Sequence, residues 1–332
     1  MTMKNKKGVD ISYANGNIDL AKVKKAGYDF VMIRCGFGSD IKSQDDTQFE
    51  ASVKKAEALG MPWGVYFYTY SLSPAQDQSE LDHILRLLKG KKPTMPVAVD
   101  VEDADGYKRK NGGWNFSNVN RNANFLLEGI AKAGYYPMLY SGFEEMENYI
   151  SSEVWEKYDI WFAHWAKKCG YTGKNLCMWQ YGGETNLIDG NSIAGVGTID
   201  KDLCYKDYPA IIKAGGYNGW PKGSATADDS SAVEKPATNS GTTPTTTKKE
   251  KTMTLTFNYL GTGYKNPTGQ TRTVQRILNT CNYKGKDGKK LAEDGIFGVN
   301  TEYAVIAYQK KHKLTTDGVV GPATWKALTG AK

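Results

Sequence analysis

Two periods of hydrophobic and polar positions run through the first two thirds of the chain, and the switches between them mark its elements. Strands show as alternation or as β-rich apolar runs. These are Val9-Asp-Ile-Ser12, Tyr28 to Cys35, Gly64 to Tyr70, Met95 to Glu102, Tyr135 to Ser141, Asp159 to Trp165, Leu176 to Tyr181 and Gly197 to Asp200. Helical spacing marks Ile18 to Ala26, Thr47 to Leu59, Pro74 to about Leu88, Asn118 to Ala133, residues 144–157 and about Tyr205 to Ala214. Gly27, Gly60 and Gly134 stand where helices stop, and Ser73-Pro74 is a start signal with proline in the first turn. The first five strands are each followed by a helix; the last three mostly are not. Such alternation implies an α/β fold with a parallel sheet and right-handed crossovers. About eight strands suggest closure into a barrel.

Within that frame Met95-Pro-Val-Ala-Val-Asp-Val-Glu-Asp103 stands out. As a strand it turns Val97, Val99 and Val101 to one face and Ala98, Asp100 and Glu102 to the other. The β-branched face suits packing under helices. The other face brings two carboxylates to the strand's C-terminal end, where like charges raise at least one pKa. A carboxylic acid still protonated near neutral pH can donate a proton to a glycosidic oxygen. A surface strand with solvated acids would show the same alternation. In a barrel, strand C-termini converge on one mouth, and Asp10, Tyr66, Asp100, Glu102, Trp179 and Asp200 all lie near such ends. Aromatic rings there would stack on sugar faces; the candidates are Tyr66, Tyr68, Tyr140, Trp165 and Trp179, whereas Trp155 and Trp161 read as core. The polar, Gly-rich run from Gly106 to Phe116 is the kind of loop that sits over a site.

Composition changes twice further on. Residues 221–252, rich in Ser, Thr, Ala and Lys, hold almost nothing that fills a core and read as a flexible linker between domains at 1–220 and 253–332. The last domain reads as small and mainly α. Val274, Ile277 and Leu278 share one helical face, and Ala304, Val305 and Tyr308 another. A short repeat punctuates it, Asp294-Gly-Ile-Phe-Gly-Val-Asn-Thr301 and Asp317-Gly-Val-Val-Gly-Pro-Ala-Thr324. Each Asp-Gly predicts a tight turn, and each Thr stands where a following helix would want an N-cap.

Charge separates the parts as well. Residues 253–332 hold 12 Lys+Arg against 5 Asp+Glu, net +7, while residues 1–220 hold 26 against 27, net −1. The basic tail favours an acidic partner, an anionic polymer surface ahead of nucleic acid, since no arginine-rich helix or RNA-binding aromatic strand accompanies it. Five scattered cysteines (Cys35, Cys169, Cys177, Cys204, Cys281) and three histidines (His83, His164, His312) form neither a disulfide framework nor a zinc motif. A Cys or Ser nucleophile paired with His164 has no motif behind it. No apolar run is long enough to span a membrane, and the basic start Met1 to Lys7 leads into Gly8-Val-Asp10 rather than the apolar stretch of a signal peptide.

Residues 8–214 resemble the glycoside hydrolase family 25 lysozymes, the Chalaropsis-type muramidases. The carriers are Gly8-Val-Asp-Ile-Ser12, Phe30-Val-Met-Ile-Arg34, Gly64-Val-Tyr66, Val99-Asp-Val-Glu102, Leu139-Tyr-Ser-Gly142, Ile160-Trp-Phe-Ala163, Trp179-Gln-Tyr181 and Thr198-Ile-Asp200, in the family's order. The resemblance implies a flattened TIM-like (β/α)5β3 barrel. It also implies functional carboxylates at Asp10, Asp100, Glu102 and Asp200, with Glu102 the general acid, and a substrate-contacting tyrosine at Tyr66. Asp202 competes with Asp200 for its place; Asp200 is preferred because it directly follows Thr198-Ile199. Residues 255–330 resemble a peptidoglycan-binding domain family through Val274-Gln275, Leu278, Asp294-Gly-Ile-Phe-Gly298, Thr301, Ala304-Val305, Tyr308-Gln309, Asp317-Gly318, Gly321, Thr324 and Trp325, with Tyr308 in place of the family's usual Phe.

The activity so implied is hydrolysis of the β-1,4 bond between N-acetylmuramic acid and N-acetylglucosamine in bacterial peptidoglycan, with no metal or organic cofactor. Asp100 would hold the substrate's own N-acetyl group, and Asp10 and Asp200 would orient the others; inversion by a water is the alternative course. The enzyme–linker–binder layout resembles a phage endolysin, held in the host cytoplasm until a lysis pore partner releases it to the wall. A wall-located or extracellular host autolysin is the other source. A chitinase-like glycosidase and a non-catalytic wall-binding protein on an inactive barrel are the rival readings.

Overall fold

The computed structural model describes residues 5–224, 260–262, 266 and 268–329. The basic residues 1–4 and most of the expected linker, 225–252, lie outside the described residues. The chain divides into two compact units, Met1–Thr238 and Asn239–Lys332.

The first unit runs β1 (Lys6–Ile11), α1 (Leu20–Lys25), β2 (Phe30–Phe37), α2 (Phe49–Ala58), β3 (Trp63–Tyr68), α3 (Pro74–Leu88), β4 (Val97–Asp100), α4 (Tyr107–Lys110), α5 (Phe116–Lys132), β5 (Pro137–Ser141), α6 (Phe143–Asn148), α7 (Ser152–Trp155), β6 (Asp159–Ala163), β7 (Leu176–Gly182), β8 (Ser192–Ile193), β9 (Gly197–Thr198), β10 (Asp200–Cys204) and α8 (Tyr208–Gly215). Strands β1 to β7 and β10 close a barrel in the order β1-β10-β7-β6-β5-β4-β3-β2. Neighbours are parallel from β1 round to β7, and β10 runs antiparallel to both β7 and β1.

Local signals explain the helices. Ser73 caps α3, its hydroxyl accepting from Gln76 N, with Pro74 behind it. Asp19 caps α1 by accepting from Ala21 and Lys22. Gly27, Gly60 and Gly134 follow their helices at φ of 90°, 57° and 84°, a region that costs other residues strain.

The valine–acid alternation sorts as the period of two requires. Val97, Val99 and Val101 join the layer between barrel and helices, with Ile84, Leu87 and Leu88 of α3 and Val119, Ala123 and Leu126 of α5. Ala98 lies in the other cluster with Phe30, Met32, Met138, Tyr140, Trp161 and Met178. Gly8 pairs with Phe30, and a Cβ on it would come within 2.3 Å of that ring. The missing side chain lets the Phe30 ring pack inside the barrel beside β1.

Beyond shifts of a few residues at other element ends, four differences from the sequence reading change the architecture. The acid strand ends at Asp100, so Glu102 stands beyond it, although Val101 N still donates to Tyr140 O at 3.0 Å. Residues 144–157 break into α6 and α7. The loop 106–116 contains one helical turn, α4. Gly197–Thr198 pairs with Ser192–Ile193 in a side hairpin, and the last barrel strand begins only at Asp200.

In the second unit, α9 (Thr268–Thr280), α10 (Val299–Lys311) and α11 (Pro322–Thr329) enclose Leu260, Val274, Leu278, Ala304, Val305, Tyr308, Val320 and Trp325. The repeat is structural. Gln275 donates through Nε2 to Asp294 Oδ1, Ile296 O and Thr301 Oγ1, and accepts from Gly295 N. Gln309 does the same with Asp317, Val319, Thr324 and Gly318. Gly295 and Gly318 take φ of 74° and 73°, the tight turns expected. The threonines are not N-caps: Thr301 and Thr324 lie inside α10 and α11, where their hydroxyls accept from the buried glutamines. Helix α10 is preceded by Gly298, which offers no side-chain cap.

Candidate active site

Seven strands deliver side chains to one cleft of about 290 Å³ at the barrel mouth, lined by Asp10, Tyr66, Asp100, Glu102, Tyr140, Trp161, Gln180 and Asp200. Asp10 ends β1 and pairs across the antiparallel seam with Asp200, the first residue of β10. Because β10 runs backwards, its start lies at the same mouth as the other strands' ends. Asp202, two residues on and on the same face, sits one layer deeper and is fully buried, accepting the indole N–H of Trp161 at 2.8 Å. Depth therefore separates the two aspartates: only Asp200 lines the cleft.

Gln180 organises one wall. Its Oε1 accepts both the Tyr140 hydroxyl at 3.0 Å and the Trp165 indole N–H at 3.0 Å. Two donors on that oxygen fix the amide's orientation and turn Nε2 towards Asp10 Oδ2, 2.9 Å away. On the opposite wall the buried Asp100 Oδ1 has no hydrogen-bond partner within the protein. A buried carboxylate oxygen left unpaired is costly, and its place at a cleft suits a donor on a substrate.

The cluster is poised between charge states. Burial pushes Glu102 up to about 7, with Glu145, Asp200 and Asp105 adding to the rise and Lys108 opposing it. Burial also pushes Asp200 up to about 6, helped by Glu184. Asp10 is held well above the carboxylate range by burial and by Asp202 and Asp200, and Asp100 by burial and by Glu102, against the pull of Lys108 and Arg34. A carboxyl raised in the folded state binds more protons folded than unfolded. Its contribution to stability is full below the unfolded value, near 4, and is lost as pH rises through the folded value. For Glu102 and Asp200 that loss falls between about pH 4 and 7. Such opposition between stability and ionisation is common where carboxyls serve chemistry.

The cleft gathers Asp10, Asp100, Glu102, Asp200, Tyr66 and Tyr140 from the residues expected there. Trp165, 40% exposed, stands at the rim. Tyr68 lies outside the cleft, its hydroxyl accepting from Ala104 N at 3.0 Å. Trp179 is a correction: Gln180 faces the cleft, so by alternation its neighbour faces away, and the Trp179 indole donates to His164 O at 2.8 Å. Gln180 and Lys108 were not singled out from the sequence, and Trp161, read as core, is both core and wall. Parity with Met178 is the signal that points Gln180 inward; nothing in a polar loop marks Lys108. Burial pushes the Cys35 and Cys177 thiols up to about 12, a poor basis for a thiolate nucleophile. Among the described residues no cluster of His, Cys, Asp and Glu is arranged to hold a metal ion.

The first unit's exposed large apolar residues share one kind of place in the chain. Tyr13, Ile41, Tyr107, Phe143, Trp165, Leu187 and Ile188 all lie on segments that follow strand C-termini. Trp165, bound to the cleft residue Gln180, offers an aromatic face that suits the flat C–H faces of a sugar ring.

The family profile for glycosyl hydrolases family 25 matches residues 9–190, and that for a peptidoglycan binding domain matches residues 268–328. The first match spans more than half of the chain. Among solved structures, the fold resembles a family 25 glycosyl hydrolase from Bacillus anthracis at 21% identity and TM-score 0.53, covering 66% of this chain and 95% of that one. The CTP1L endolysin is similar at 19% identity and TM-score 0.50, covering 61% and 67%. The modular autolysin LytC from Streptococcus pneumoniae is similar at 22% and TM-score 0.51, covering 60% of this chain and 46% of that longer one. At these identities the likenesses concern the fold. The profile match carries the assignment, and the chain belongs to glycosyl hydrolases family 25.

Proposed function

We propose that this family 25 glycoside hydrolase cleaves the β-1,4 bond between N-acetylmuramic acid and N-acetylglucosamine in bacterial peptidoglycan, with Glu102 as general acid. The observation that carries the reading is a carboxyl raised to about 7 beside three further carboxylates in one cleft. A donor near the working pH is what leaving-group protonation needs. Glu102 gives its proton to the glycosidic oxygen as the bond from that oxygen to the anomeric carbon breaks. The acetamido oxygen of the same sugar closes on the anomeric carbon, and Asp100 holds the acetamido N–H. Water then attacks that carbon, reopens the ring so formed, and returns a proton to Glu102, with net retention. Substrate-assisted hydrolysis of this kind is a recognised departure from the two-carboxylate scheme. The unpartnered Asp100 Oδ1 supports that role, because an amide N–H would satisfy it. Asp10, held by Gln180, and Asp200 orient the sugar and the water from the far wall.

The second unit serves as wall anchor in this reading. Its described surface exposes Ile296, Val299 and Tyr303, and residues 253–332 carry net +7. Among the described residues no helix is long and apolar enough to cross a membrane. Phage endolysin and bacterial autolysin are both sources consistent with this arrangement. The domain limits 1–220, 221–252 and 253–332 belong to the same proposal. A protein ending after Trp220 is expected to fold and to cleave solubilised wall fragments, but to bind intact walls roughly 10²-fold less tightly, since a linked anchor raises effective concentration. Sedimentation with purified walls at low and high salt measures this. Unchanged binding would remove the anchor role, and an insoluble product would refute the domain limit.

A further inference from the structure

Lys108 is 2% exposed, and a lysine that buried is rare without a paired carboxylate. Its immediate partners are neutral. The ammonium donates to Thr69 O at 2.8 Å and to Thr69 Oγ1 at 3.1 Å, and lies 5.6 Å from the Tyr68 ring centroid and 5.1 Å from that of Trp114. The backbone around it is built to hold it there. The Asp103 carboxylate accepts from Lys108 N and Arg109 N, and Lys108 O accepts from Gly113 N and Trp114 N. Thr69 N in turn donates to Asp100 O at 3.2 Å, so the ammonium is fastened to the β3 end that runs alongside Asp100.

Charged groups stand around it on every side. Glu80 from α3, Asp100, Glu102 and Asp103 all act on the ammonium, Glu145 from α6 feels it, and Arg109 stacks over Trp114. The two central carboxyls differ in company. Both feel Lys108, but Asp100 also has the cation Arg34 near it, with Glu102 and Glu145 as its acids, whereas Glu102 has Glu145, Asp200 and Asp105. Two carboxyls this close titrate as a pair, and a cation beside them favours the state that carries one negative charge and one proton.

We propose that Lys108 is a positioning residue of the reaction: its buried ammonium, anchored by Thr69 behind the Asp100 strand, offsets one negative charge on the Asp100–Glu102 pair, so that the pair presents one carboxylate and one proton donor to the substrate. This rests on the Glu102–Asp100 reading above and names the group that sets its charge state. Arg34 is the second cation acting on Asp100, with its Nε bound to Asp46 at 2.9 Å.

The test is the pH profile of kcat/KM for Lys108→Met and Lys108→Gln, with Lys108→Arg as the charge-keeping control. Removing the cation is expected to move both limbs of the profile to higher pH, by about one unit for the loss of one nearby charge, with kcat falling more than KM rises. Lys108→Arg should restore the limbs towards wild type. A purely structural lysine would lower the melting temperature and leave the limbs in place; unmoved limbs in the folded neutral variants overturn the proposal. At pH 5 more of the surrounding carboxyls are protonated, and the neutral variants are expected to fold. Failure of both to fold there would also overturn it, by making the lysine a strut. Full activity of Glu102→Gln would instead sink the underlying reading, so the two failures are distinct.

Discussion

Glu102→Gln is expected to keep the barrel intact and to lower turnover on cell walls by roughly 10²–10⁴-fold. The amide has nearly the carboxyl's shape but no acid proton to give to the leaving oxygen. Its fold should not suffer. Glu102 is raised to about 7 by burial and by the acids round it, so its ionised form is the disfavoured one, and a neutral amide relieves that repulsion at alkaline pH. The same shift sets the wild-type profile. The acid must be protonated to work, so activity declines as pH rises through about 7, and the limb assigned to Glu102 is absent from whatever activity the variant retains. Circular dichroism, a melting curve and a turbidity assay between pH 4 and 9 check all three. A folded variant with more than half of wild-type activity would take Glu102 out of the mechanism.

The second large effect concerns the substrate. Walls whose muramic acid lacks its N-acetyl group are expected to resist cleavage by ~10²-fold or more, and Asp100→Asn should lose activity on a similar scale. The warrant is that an intramolecular nucleophile held in place can supply several orders of magnitude. Asp100 is the cleft residue whose buried oxygen lacks a protein donor, and an asparagine in its place can turn its NH2 towards the substrate's N–H. In the assisted route the first-formed anomer is β, as in the substrate. A first-formed α anomer by NMR, together with normal cleavage of de-N-acetylated walls, would point instead to direct attack by water, with Asp10 or Asp200 as base.

Much of this site was legible because a barrel strand has a strict parity. Once Val97, Val99 and Val101 are assigned to the helix side, Asp100 and Glu102 have only the interior and the mouth left to them. In β7 residue type points to Trp179, but the same parity, counted from Met178, turns Gln180 inward and Trp179 out. Asp200 was preferred as the residue after a strand, yet it begins one. It reaches the mouth because β10 is reversed, and strand direction is a tertiary fact that local pattern does not encode. Asp202 shares its face, so only depth in the barrel separates the two. Lys108 left no trace in the pattern, since its burial comes from how Asp103 and Thr69 fold the 106–116 loop back on itself. Likewise Thr301 and Thr324 sit where caps are common, but the buried Gln275 and Gln309 recruit them from inside their helices.

The most direct test of the central claim is mass spectrometry of borohydride-reduced fragments from purified peptidoglycan digested by the full-length protein. Cleavage of the muramic acid–glucosamine bond predicts fragments that end in reduced N-acetylmuramic acid, and their absence with Glu102→Gln. Fragments ending in reduced N-acetylglucosamine, or new amino termini on the stem peptides with the glycan left whole, would contradict it.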